Sequence, residues 1–351
     1  MPSADSFAPF KFLRTGAIVQ SWYIDDTNIV LGFPTEELYQ SHNEPYFGAT
    51  LGRVANRIQG AKLTNLNGGR NYDLRANEGR NTLHAGNSWG RKVWDGPDKT
   101  ETRKIAGLER VEGEQSIRFR LLSEDQDEGF PGTVLATVVY TAGWQVTSRG
   151  ERVSVLELYY EAELVGQVEE TVINMTNHSY FNLTGSSTIT GTRINLCTTQ
   201  HLPVDQENIP VSGPKPFPSL KTNEAFRLGD KMPVIDHCFI TNEKPETVPL
   251  NSSRLPLQNM VQAYHPDSGI HLEVLGTEPA FQFYTGENTN VPEVERVAAR
   301  GSRSAFCVEP CRYVNAPQVE AWKGMVLLKQ GEKYGHRIVY RAWKENTAEG
   351  H

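Results

Sequence analysis

Two widely separated runs place an imidazole and a carboxylate among hydrogen-bonding neighbours. Residues 176–183 read Thr-Asn-His-Ser-Tyr-Phe-Asn-Leu and hold His178; residues 306–310 read Phe-Cys-Val-Glu-Pro and hold Glu309. Brought to one cleft, such a pair can act as general acid and general base on a bound hydroxyl group, with no nucleophile and no metal. Two further islands carry similar side chains: Gly-Arg-Val-Ala-Asn-Arg-Ile at 52–58 and Asn-Thr-Leu-His-Ala-Gly at 81–86. Ordinary core strands seldom hold so many polar groups, because burying them unpaired costs free energy.

Strand periodicity says which way these side chains face. In the Phe-Gln-Phe-Tyr-Thr run at 281–285, Gln282 and Tyr284 share one face while Phe281 and Phe283 share the other. The same alternation groups His178 with Tyr180, and Cys307 with Glu309, leaving Phe306 and Val308 for a core. Amide, carboxylate, imidazole and guanidinium groups on one face suit a polyhydroxylated ligand, whose apolar ring face aromatic residues can cover. Taken singly, each residue has a plainer explanation. A lone histidine in a strand is commonly structural, Arg57 reads as a surface or ion-pair residue, and Asp236-His237 reads as a turn or a cap. The combination carries the argument.

The elements that must position these groups are short and β-rich. Residues 117–121, 133–140, 153–162, 271–275 and 337–343 alternate apolar with polar or are dense in β-branched and aromatic residues. Turn clusters such as Asn-Gly-Gly at 67–69 and Phe-Pro-Gly at 130–132 punctuate them. Helical signal is scarce; a short helix after Thr35, acting as N-cap, is the clearest case. Many short strands and few helices predict an all-β antiparallel sandwich or barrel. No repeat and no linker divides the 351 residues, so one domain over 1–351 is expected. The Pro-rich stretch at 209–219 reads as a long surface loop.

Composition narrows the function. A net charge of −7 argues against nucleic-acid binding. No apolar stretch reaches membrane-spanning length, and residues 1–10 lack the pattern of a secretory signal. The four cysteines, Cys197, Cys238, Cys307 and Cys311, lack zinc-site spacing and read as reduced thiols. Glycosylation sequons at Asn174, Asn177 and Asn182 crowd the proposed catalytic run, which makes a secreted route awkward and favours a cytoplasmic one. There is no phosphate-cradling glycine loop, no GxSxG elbow and no HExxH. The acidic run at 124–129 fails the EF-hand pattern and reads as a solvated hairpin tip.

Together these islands resemble the aldose 1-epimerase (galactose mutarotase) family. The resemblance runs from about Phe12 to Trp343 and includes Gly-Arg-Val-Ala-Asn-Arg-Ile, Asn-Thr-Leu-His-Ala-Gly, Thr-Asn-His-Ser-Tyr-Phe-Asn-Leu-Thr-Gly, Asp-His-Cys-Phe, Phe-Gln-Phe-Tyr-Thr-Gly and Val-Glu-Pro. It implies a large antiparallel β-sandwich, the mutarotase supersandwich, with a sugar cleft on one sheet. It implies interconversion of the α and β anomers of free aldohexoses such as glucose and galactose, without a cofactor or metal. Glu309 matches the family's general base and His178 its general acid, which would have to be protonated in the productive complex. His84 matches a second active-site histidine. Arg57, Asp236 and Gln282 match residues that hold sugar hydroxyls, with Asn56 beside the arginine. The expected partner is a small monosaccharide, with no nucleic acid or membrane, and the protein itself a monomer or weak homodimer. Ala85 stands where the family commonly has glycine, and Cys311 where a polar residue is usual.

Three rivals follow from the same residues, one of them a mutarotase fold recruited to a biosynthetic pathway for a non-hexose cyclic acetal or hemiacetal, which could use the same proton transfers. A hexose-6-phosphate epimerase would need basic residues at the cleft rim, for which Arg53, Arg57, Arg75 and Arg80 are candidates. A catalytically silent sugar-binding module would have no need of both His178 and Glu309.

Overall fold

The alternating runs become neighbouring strands of one large sheet. A computed structural model describes residues 7, 9–86, 89–222 and 224–346; residues 1–6 and 8 of the N-terminal stretch read above lie outside the described residues. Nine antiparallel strands lie in the order Phe226–Arg227, Arg193–Leu196, Gln258–His265, Ile270–Gly276, Lys333–Lys344, Arg152–Leu164, Val134–Val146, Glu112–Ser123 and Asp95–Lys99. The five clearest runs in the sequence all fall within this sheet, except for Thr133 at the start of one of them.

Register keeps the apolar positions in phase. Val134, Ala136, Val138, Tyr140 and Ala142 stand opposite Leu164, Ala162, Tyr160, Leu158 and Leu156, and all ten are in the main core. A slip by one residue would turn the whole set toward the other face, so this pattern fixes the pairing. Ile338 and Tyr340 continue the same face on the next strand, opposite Leu158 and Leu156.

A second sheet supplies the other layer. Its six antiparallel strands run in the order Tyr180–Phe181, Phe306–Cys311, Ala280–Tyr284, Asp236–Ile240, Gln200–His201 and Lys215–Pro216. Phe181, Phe239, Phe281, Phe283, Phe306 and Val308 point from it into the main core and are fully buried. Full burial contributes roughly 1.5–3 kcal/mol for each such side chain relative to exposure. Because alternate residues of these strands are anchored in the core, Gln282 and Glu309 must project from the opposite face. The fold is therefore the antiparallel sandwich expected from the sequence.

Among the described residues, α-helix is confined to Glu36–His42 and Glu320–Lys323. The first is capped by Thr35, whose side chain accepts from the Leu38 amide. No described helix is long and apolar enough to cross a membrane. The 209–219 stretch is largely loop, with Lys215–Pro216 adding a short edge strand.

The acidic run at 124–129 is more than a solvated tip. It does close the turn between Glu112–Ser123 and Val134–Val146, and residues 124–126 are exposed. Arg53, only 1% exposed, holds it from beneath. Its guanidinium donates to the carbonyl oxygens of Ser123 (3.0 Å), Glu124 (2.7 Å) and Pro131 (2.8 Å). Asp127 accepts from Ser123 Oγ at 2.6 Å and Lys92 Nζ at 2.5 Å.

Candidate active site

The cleft lies on the outer face of the six-stranded sheet and has a volume of about 270 Å³. This is near the lower end of small-molecule sites. All seven residues singled out from the sequence line it: Asn56, Arg57, His84, His178, Asp236, Gln282 and Glu309.

Glu309 and Gln282 reach it from adjacent strands, directly opposite one another in register. Asp236 follows on the next strand, opposite Tyr284. It is a strand residue, not the turn or cap that the local sequence suggests. Gln282 Nε2 donates to Asp236 Oδ1 at 2.6 Å. That bond leaves the buried Gln282 Oε1 with no hydrogen-bond partner among the described residues. Since buried polar atoms are normally bonded, an acceptor aimed at the cleft suits a ligand hydroxyl.

His178 sits where two short pairings meet. Residues 176–177 pair with 51–50, and residues 180–181 pair with 307–306. Its amide donates to Ala49 O at 2.9 Å, and its carbonyl accepts from Gly48 N at 3.0 Å. The ring stacks on Tyr180 at 4.9 Å and its Nδ1 lies 3.5 Å from Cys307 Sγ. This leaves Nε2 toward Glu309, whose Oε1 is 3.7 Å away. Asn177, opposite in phase, turns inward, where its Oδ1 accepts from Ser179 and its Nδ2 donates to Gly48 O. Asn174 and Asn182 are buried too, at 1% and 5% exposure, so none of the three sequon asparagines presents its amide at the surface.

The other wall is a small two-stranded pairing of Arg57–Ile58 with Thr82–Leu83. It brings His84 beside Asn56, whose backbone N–H donates to His84 Nδ1 at 3.2 Å. His84 and Ala85 both hold positive φ, 50° and 53°, a conformation costly for non-glycine residues. The His84 and His178 rings meet edge-on at 5.3 Å. Arg57 is buried, not a surface residue. It donates from Nε and Nη2 to Glu78 at 2.6 and 2.9 Å, and its Nη1 lies 4.0 Å from Asp236.

Burial sets the electrostatics. It pulls the His178 imidazole down to about 4. It also takes His84 well below its ordinary value, helped by His178 and Arg57. Burial and the Asp236 charge push the Glu309 carboxyl well above the usual carboxylate range. Burial therefore favours the neutral imidazole at His178. The proton that His178 gives to a ring oxygen is then one it shares with Glu309, 3.7 Å away.

Of the four arginines considered for a phosphate rim, only Arg57 lines the cleft. Arg53 is buried beneath the 124–129 turn, Arg75 pairs with Glu128 at 3.4 Å, and Arg80 pairs with Glu207 at 2.8 Å. The sequence reading missed Glu78, Tyr46 as a wall residue, and the rim at 288–290. Glu78 could have been anticipated had Arg57 been known to be buried, because a buried guanidinium calls for a carboxylate.

Comparison with known proteins places this architecture. Residues 5–341 match the family described as aldose 1-epimerase. The chain belongs to the aldose 1-epimerase family. It is 34% identical to the bifunctional protein GAL10 of Pachysolen tannophilus over 333 residues, covering 93% of this chain and 44% of that protein. The chain thus spans less than half the length of that relative. It is 32% identical to the galactose mutarotase of Homo sapiens, covering 90% of this chain and 84% of that protein. Among solved structures, an aldose epimerase homologue from C. elegans superposes with a TM-score of 0.76 at 22% identity, covering 96% of both chains. That likeness shows the mutarotase-like fold.

Proposed function

We propose that the protein is an aldose 1-epimerase that interconverts the α and β anomers of free aldohexoses such as glucose and galactose. Glu309, as carboxylate, accepts the proton of the C1 hydroxyl. The C1–O5 bond breaks with its electron pair going to O5, which takes a proton from His178 Nε2. The open-chain aldehyde rotates about C1–C2 and recloses, with each group reversing its role. Asn56, Arg57, His84, Asp236 and Gln282 hold the ring hydroxyls so that O1 and O5 meet their partners.

The observation that carries this reading is the 3.7 Å approach of His178 Nε2 and Glu309 Oε1 inside a cleft edged by Arg57, Asp236 and Gln282. A silent binding module has no use for that pair. Each positioned proton transfer is typically worth roughly a hundred- to ten-thousand-fold in rate, and the chemistry calls for neither cofactor nor metal. The protein acts as one β-sandwich domain over 1–351, as a monomer or weak homodimer, in a reducing cytoplasmic compartment. Its free thiols and buried sequon asparagines support that compartment. Polarimetry of freshly dissolved α-glucose and α-galactose tests the activity. Mutarotation no faster than the uncatalysed rate would refute it.

A further inference from the structure

Arg57 is the only arginine or lysine among the described residues that line the cleft, and Glu78 covers its anion-binding edge. The Nε and Nη2 atoms of a guanidinium form the fork that grips carboxylates and phosphates with two parallel bonds. Here that fork closes on Glu78 Oε2 and Oε1 at 2.6 and 2.9 Å. Glu78 is the outer partner, with its side chain 37% exposed against 9% for Arg57. Its backbone is fixed by a tight turn, where Glu78 N donates to Asn81 O and Asn81 N donates back to Glu78 O. Asn77 ties the same turn to both backbone groups of Leu83. The carboxyl-bearing residues of the lining, Glu44, Glu78, Asp236 and Glu309, outnumber that single guanidinium.

We infer that Glu78 is a specificity-determining residue, a charge gate that occupies the fork of Arg57 and confines the cleft to uncharged sugars. This rests on the aldose 1-epimerase reading and adds a residue to it. With Glu78 in place, Arg57 has only its remaining N–H groups to offer, which suit hydroxyl oxygens. With the Glu78 charge removed, the fork opens toward the cleft and a sugar carboxylate can take its place.

The test compares galactose with galacturonate, by polarimetry for kcat/KM and by calorimetry for Kd, in the wild type, Glu78→Gln and Glu78→Ala. The galacturonate-to-galactose ratio of kcat/KM should rise at least about tenfold, about 1.4 kcal/mol, in both variants. Added salt should raise that ratio in the wild type, by screening repulsion, and lower it in the variants, by screening attraction. A variant in which both sugars lose activity by the same factor would show that Glu78 merely props Arg57, and would overturn the gate. A wild type that binds both sugars but turns over neither would defeat the catalytic reading, and the Kd ratio would still decide the gate. A wild type that binds neither sugar overturns both.

Discussion

His178 Nε2 and Glu309 Oε1 face each other at 3.7 Å, with side chains only 7% and 4% exposed. Burial disfavours the charged form of each, lowering the imidazole and raising the carboxyl. A pair holding one proton has two arrangements, imidazolium with carboxylate or imidazole with carboxylic acid. Ring opening through O1 and O5 converts the first into the second, and closure reverses it. The sugar itself therefore carries the proton between the two residues, and neither needs to exchange with solvent during turnover.

Glu309→Gln keeps the shape of the side chain and removes the proton acceptor. Turnover by polarimetry should fall by roughly a hundred- to ten-thousand-fold, with the far-ultraviolet dichroism of the sandwich unchanged. A folded variant retaining more than about a tenth of wild-type turnover would exclude Glu309 as the base.

The pH profile should be a bell whose limbs belong to the pair. On the acid side a second proton enters, and burial places that step near the depressed value of His178, about 4, below the ordinary imidazole range. On the alkaline side the single shared proton leaves, at a value that burial and Asp236 have raised for Glu309. An acid limb centred near the ordinary imidazole value would show that His178 is charged in the free site.

The same shift has a cost in stability. Glu309 releases its proton at a higher pH in the folded state than in the unfolded one. The stability it contributes is therefore present below its unfolded value of 4.5 and is lost as pH rises through the folded value. Glutamine cannot ionise and escapes that loss. The Tm difference, Glu309→Gln minus wild type, should grow as pH rises from about 5 to about 8. A difference independent of pH would contradict the raised carboxyl.

How much of this was legible in the sequence depended on range. Gln282 and Glu309 could be assigned to one face because Phe281, Phe283, Phe306 and Val308 mark the opposite phase, and period two is a local property. Asp236 was obscured, since Asp-His reads as a turn locally and only its register against 280–284 makes it a strand residue. Arg53 and Arg57 are four residues apart in one motif yet go to different places. Arg53 is claimed by carbonyl groups at 123, 124 and 131, and no local pattern announces so distant a partner. Glu78 was hidden for the same reason: its role depends on the burial of Arg57.

That division of labour is itself testable. Arg53→Met should lower stability by several kcal/mol, because three carbonyl groups lose their charged donor, each orphaned acceptor costing about 1–3 kcal/mol. Enzyme that folds should keep the wild-type KM, since Arg53 does not line the cleft. A raised KM with unchanged thermal stability would return Arg53 to the sugar site.

Asp236 links positioning to proton affinity. Its Oδ1 accepts from Gln282 at 2.6 Å, its Oδ2 lies 4.0 Å from Arg57, and its charge helps to raise Glu309. Asp236→Asn removes the charge and keeps the volume. Losing a carboxylate acceptor for sugar hydroxyls should raise KM. Removing a nearby negative charge should also make the shared proton easier to lose, so the alkaline limb of the activity profile should move to lower pH. A merely structural aspartate would alter KM or stability and leave that limb in place. A limb that stays fixed while KM rises would therefore confine Asp236 to holding the sugar, and would leave the raised Glu309 carboxyl to burial without help from Asp236.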